Sequence, residues 1–148
     1  MHSIRTTIDI AAPITTVWTV LTDLGAYADW NPFVTAAEGT VSEGNELSIE
    51  LTPEGSRSTR MRPAVTVAEA PHTFEWIGSV GTTGIFDGRH RFELEETTTG
   101  TKLTHSEVFT GVLAGVVLRF IRARTEAGFA AMNQALKIRA EAHADRLV

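Results

Sequence analysis

His90, His105 and Glu107 are the side chains of this chain best suited to acid–base chemistry, and their spacing can bring them together. They lie in GRHRFELEETTTGTKLTHSEVFTG, residues 88–111, which reads as two strands joined by a polar turn. His90, Phe92 and Leu94 share one parity; Leu103, His105, Glu107 and Phe109 share one parity across the turn. Strand side chains alternate faces, so the face that should be apolar carries two imidazoles and a carboxylate. A turn centred on Thr98 and Thr99 pairs His90 with Glu107 and Phe92 with His105. A carboxylate beside an imidazole favours the imidazolium, burial opposes it, and the pair is oriented for proton transfer. Three readings stay open: pocket lining, an internally satisfied hydrogen-bonded cluster, or exposure after a one-residue register slip. A metal site is not expected. Two residues apart on a strand lie about 7 Å apart, which spreads His105 from Glu107, and no HExxH motif is present.

Further residues extend the same face. A tight turn over residues 80–83 would set Trp76 beside Phe86, giving an aromatic lining with a few convergent polar groups, as small-molecule pockets have. The expected cavity wall adds Phe92 and Phe109 from the strands, and Phe120, Arg124 and Met132 from a long helix. Arg124 either snorkels to the rim or meets Glu107 or an anionic ligand. Tyr27, Trp30 and Phe33 form a core cluster or an aromatic lip over an opening. Met61 and Met132 read as conformable filler, and Asp29 as a residue that orients its loop. The glycine-bearing stretches match neither a Walker nor a dinucleotide pattern.

The chain has 148 residues, enough for one domain with a core of its own spanning residues 1–148. It has no cysteine, which excludes disulfides, thiolate nucleophiles and cysteine-held zinc. A net charge of −5 and the lack of a basic stripe argue against a nucleic-acid partner. No apolar run reaches the ~20 residues of a membrane span, and MHSIRTTIDI lacks the apolar core of a signal peptide. A cytoplasmic monomer or weak homodimer is expected.

Elements that could position these residues follow from periodicity. Ile4, Thr6, Ile8 and Ile10 alternate as a first strand. Ile14, Val17, Trp18 and Leu21 then share a helical face, with Pro13 suited to the first helical position. A second short helix over GAYADW ends before Pro32. Strands are expected over residues 33–38, 46–52, 60–68, 73–78, 84–95 and 102–110, separated by Gly-, Pro- and Thr-rich turns. Val117, Phe120, Ile121, Arg124, Gly128, Ala131, Met132, Ala135 and Ile138 mark the apolar side of a long C-terminal helix. The expected class is α+β: an antiparallel sheet of seven strands covered by that helix, with two short helices after strand one.

APITTVWTVLTDLGAYADWNPFV (12–34), FDGRHRFELEETTTGTKLTHSEVFTG (86–111) and GFAAMNQALKIRAEA (128–142) resemble the START-like (SRPBCC) superfamily, in its polyketide cyclase/dehydrase-related branch. The resemblance implies a helix-grip fold, a seven-stranded antiparallel sheet curled around the C-terminal helix and enclosing an elongated apolar cavity. It also implies binding of a small hydrophobic or amphipathic molecule without a cofactor. Two other roles occur among similar proteins: cyclase/dehydratase-like catalysis, here with His90, His105 and Glu107 as candidates, and activation of a chaperone. The oxygenase branch needs a cysteine/histidine cluster that this chain lacks.

Overall fold

Alternating isoleucines build β1 (His2–Ile10), with Ile4 and Ile10 turned inward, in a computed structural model that describes residues 2–146. Pro13 then sits one position before α1 (Ile14–Thr22), and its carbonyl accepts from the Thr16 and Val17 amides at 3.0 and 3.1 Å. A single 3-10 turn (Leu24–Ala26) leads into α2 (Tyr27–Trp30). Asn31 ends α2 in an extended conformation, as a residue before proline must. Its side-chain oxygen accepts the amides of Phe33 and Val34 at 3.0 and 2.9 Å, which launches the next strand.

The remaining chain forms β2 (Val34–Glu38), β3 (Ser48–Leu51), β4 (Thr59–Met61), β5 (Ala64–Glu69), β6 (Thr73–Ser79), β7 (Asp87–Thr97), β8 (Gly100–Thr110) and α3 (Ala114–Arg146). Five strands pair in the order β1-β8-β7-β6-β5, and three in the order β2-β3-β4. Residues 44–47 hydrogen-bond to Pro63 and Val65, so the smaller sheet continues the curl from the β5 edge. Among the described residues, eight strands in two antiparallel sheets therefore replace the seven expected. The expected strand over 60–68 breaks at Pro63, which has no amide to donate to a ladder; its carbonyl instead accepts from Leu47 at 2.8 Å.

α3 runs 33 residues, about 50 Å, along the concave face. Its buried stripe is Leu118, Thr125, Gly128, Phe129, Met132, Asn133, Leu136 and Ala140. The expected face is thus rotated. Phe120 and Ile138 stand 79% and 61% exposed, because the helix start is apolar all round while Thr125 and Asn133 turn inward. Gly128 is required by close approach: the Phe33 ring occupies the space a Cβ would need. No helix among the described residues is long and apolar enough to cross a membrane.

On the convex face Glu75, nearly buried, takes hydrogen bonds from Arg89, Arg91 and Thr66, each at 2.8 Å. Burial pushes its carboxyl up, but the bonds from Arg91, Arg89 and Thr66 outweigh it and hold the group below the usual carboxylate range. A carboxyl so depressed stabilises the fold fully above about pH 4.5 and loses that contribution as pH falls through its folded value. Glu75→Gln should therefore show a shallower acid-unfolding slope below about pH 4.5 than the parent, read by circular dichroism.

Candidate functional site

A cavity of about 310 Å³ opens between the curled sheet and the first half of α3. The sheet pairs Gly78 with Gly88 across β6 and β7, and two facing glycines leave the floor without side chains. A Cβ at Gly78 would strike the end of Met61; one at Gly88 would strike the Glu107 carboxylate. Phe86 and Phe109, stacked at 5.5 Å, close one wall, and Val117, Ile121 and Thr125 of α3 roof the space. Arg57 and Arg124 stand exposed at the mouth, where Arg124 donates to the Ser56 hydroxyl at 2.7 Å. Most of the wall is apolar. His90 and Glu107 are the ionisable groups on its inner wall.

The two-residue turn at Thr98 and Thr99 sets the β7–β8 register, with His90 opposite Glu107 and Phe92 opposite His105. Behind His90 lies a closed polar chain whose direction can be read from its members. The Thr6 hydroxyl donates to the His105 carbonyl at 3.2 Å, so its oxygen accepts from Asn133 Nδ2 at 2.8 Å. That turns Asn133 Oδ1 toward His105 Nδ1, 2.7 Å away, and the ring must donate there. His105 Nε2 is left as a lone pair facing His90 Nε2 at 2.5 Å, so His90 donates. The other His90 nitrogen, Nδ1, lies 3.6 Å from Glu107 Oε2. His90 therefore has an acceptor facing each of its ring nitrogens, His105 Nε2 on one side and Glu107 on the other.

Electrostatics agree with that direction. Burial, then the neighbouring His90, holds the His105 imidazole well below its usual value, against the pull of the Asn133 bond. Aromatic rings fix both imidazoles: Phe129 stacks on His105 at 4.0 Å and Trp76 on His90 at 4.7 Å. An imidazolium against the Trp76 face also gains a cation–π attraction. Tyr27 is excluded from proton transfer. Its phenol is fully buried, donates to the Leu21 carbonyl at 2.5 Å, and is pushed far above its usual value by burial and by Asp23.

Of the residues expected in the wall, Phe86, His90, Glu107, Phe109 and Arg124 line the cavity. Trp76, Phe92, His105 and Met132 are buried behind it, as support rather than lining. Trp76 pairs with His90 and not with Phe86, because the β6–β7 connection is a seven-residue loop (80–86) and not a tight turn. Phe120 points outward, and Arg124 meets Ser56 rather than Glu107. Gly78, Gly88, Asn133 and Thr6 were not expected at the site. A glycine inside a strand and a lone asparagine on an apolar helix face are the signals that mark them. Among the described residues, no three His, Asp or Glu side chains converge as metal ligands.

No curated protein matches this chain. Solved structures resemble it closely in fold at low identity. The protein MLL2253 from Mesorhizobium loti superposes with a TM-score of 0.76 at 15% identity, covering 99% of each chain. The Zhui aromatase/cyclase from Streptomyces sp. R1128 gives 0.76 at 19%, covering 95% of this chain and 93% of that one. The AHSA1-like protein from Aeromonas hydrophila gives 0.72 at 18%, covering 96% and 94%. These likenesses establish the shared fold. At the level of sequence, the profile of one family extends over residues 1–141, and the chain belongs to that family, described as polyketide cyclase / dehydrase and lipid transport.

Proposed function

We propose that the chain binds a small, largely apolar molecule whose hydrogen-bond donor end reaches Glu107. The observation that carries this reading is the cavity itself: an apolar space of about 310 Å³ with Glu107 as the one carboxylate in its wall. Glu107 Oε2 faces His90, while Oε1 lies over the Gly88 backbone beside the open space. A hydroxyl, phenol or amine entering there finds a charged acceptor, and the aromatic and aliphatic wall takes the rest. Native mass spectrometry of the purified protein should detect a bound organic molecule. Ile121→Trp, which fills the roof, should lower its affinity at least about tenfold with the circular dichroism spectrum unchanged. Unaltered affinity in that variant would overturn the reading.

The directional chain from Glu107 through His90 to His105 favours a second reading, a proton-transferring enzyme of the cyclase/dehydratase kind. Glu107 Oε1 would take a proton from the bound molecule, and the His90 imidazolium would balance the charge that develops. Glu107→Gln separates the two roles. A binding protein loses affinity alone, whereas an enzyme loses turnover at saturating substrate.

A further inference from the structure

Among the described residues, six of the seven exposed large apolar side chains lie on segments that flank the cavity, and Ile138 lies elsewhere. Val80 and Ile85 belong to the β6–β7 loop, Val112 and Leu113 to the turn before α3, and Val116 and Phe120 to the first turns of α3. These segments form one surface. The Val112 and Leu113 amides donate to the Gly84 and Ile85 carbonyls at 3.0 Å, and Val116 and Phe120 continue the line at four-residue spacing. Val112 and Phe120 are 78% and 79% exposed, and a contiguous exposed apolar surface marks an interaction site. Their neighbours Val117 and Ile121 line the cavity, so the outer patch and the inner wall meet at the opening.

Charge is distributed as sharply as hydrophobicity. Residues 80–86 and 111–118 contain no charged side chain. The next charges along α3 are Arg119, Arg122 and Arg124, and the first acid is Glu126. Across the mouth the β3–β4 loop contributes Arg57 with one acid, Glu54. Arg122 is paired with Glu126 at 3.3 Å, which leaves exposed Arg119 beside the apolar tip and exposed Arg57 and Arg124 at the mouth, on a chain whose net charge is −5. We propose that this end docks on a lipid surface bearing anionic head groups, with the cavity mouth turned toward the bilayer.

The apolar tip enters the boundary between head groups and acyl chains while the arginines meet the negative surface. A second copy of the chain fits less well. A two-fold contact sets the same patch against itself and brings arginine against arginine, whereas anionic head groups supply the opposite sign. Docking in this orientation lets an apolar molecule pass between bilayer and cavity without crossing water. That consequence rests on the ligand-binding reading; the docking does not.

Co-sedimentation with vesicles of phosphatidylcholine, with and without phosphatidylglycerol, tests the proposal. The protein should sediment with the anionic vesicles and far less with the neutral ones. Phe120→Asp should weaken that association about tenfold or more, and Ile138→Asp, outside the patch, should leave it unchanged. Arg119→Gln should cost about fivefold on anionic vesicles and nothing measurable on neutral ones. Glu107→Gln should sediment like the parent, so loss of the cavity's ligand and loss of docking are separate results. Absence of sedimentation with either vesicle overturns the proposal. So does a concentration-dependent dimer, seen by light scattering, that Phe120→Asp abolishes, since a second copy then covers the patch.

Discussion

Asn133→Leu should lower the unfolding free energy by about 2–3 kcal/mol, and His105→Leu should cost a similar amount. Neither effect comes from lost volume. Asn133 Oδ1 is the acceptor for His105 Nδ1, and both residues are buried, His105 completely. Leucine at position 133 leaves that N–H with no partner and no water. Leucine at 105 strands Asn133 Oδ1 and the His90 Nε2 donor instead. The double variant removes both members of the first pair. Its cost should fall short of the summed single costs by at least about 1 kcal/mol in urea unfolding. Simple additivity would show that the chain of bonds is not a coupled unit.

The same residue gives the fold an acid sensitivity. His105 is held neutral when folded, but an unfolded chain protonates it near pH 6.5. Between those values the unfolded state binds more protons, so stability rises with pH. The contribution is complete above about pH 6.5 and is lost progressively as pH falls toward the folded value. His105→Leu should lack that part of the slope while keeping the steeper loss below about pH 4.5 to which Glu75 contributes.

How far the sequence reveals this arrangement depends on where local signals agree with packing. The β7–β8 hairpin was legible because alternating runs flank a short polar turn, and one correct turn fixes every cross-strand pair. The presence of α3 was legible too, but its orientation was not. GVLAGVVLRFI is apolar on all sides, so hydrophobic periodicity cannot choose a face, and the polar Thr125 and Asn133 occupy the inner one. Pro63 carried the information that splits the expected strand, since a ladder position there would lack its donor. The connection over 80–86 is longer than the tight turn at 80–83 that would have set Trp76 beside Phe86. Gly81 and Gly84 both adopt left-handed φ, 77° and 92°, and spread the bend over more residues than a hairpin needs. Cavities are the hardest feature to read because they are made by what is missing. Gly78 and Gly88 look like weak points in two strands, and only their facing register turns them into a floor.

Gly88→Val should lower ligand affinity about a hundredfold while leaving the unfolding free energy unchanged or slightly higher. A Cβ at this position would overlap Glu107 Oε1 and lie 3.2 Å from Cδ and 3.6 Å from Cγ. The obstacle is the end of a flexible side chain, so the carboxylate swings away and the backbone stays. Valine also suits a strand better than glycine and reduces the entropy of the unfolded chain, which offsets the repacking. Function loses on two counts. The branched side chain enters the cavity floor, and Glu107 leaves the position from which it accepts a ligand donor and faces His90 at 3.6 Å. Gly88→Ala should show the electrostatic part with little of the steric part: an affinity loss of about tenfold, and nitrogen NMR shifts of His90 that report loss of the carboxylate. Glu107→Gln keeps the volume and removes the charge, so it should match Gly88→Ala in affinity and not Gly88→Val. If Gly88→Val binds as tightly as the parent, the space above the paired glycines is not where the ligand sits. If it unfolds, Gly88 is there for the strand and not for the carboxylate.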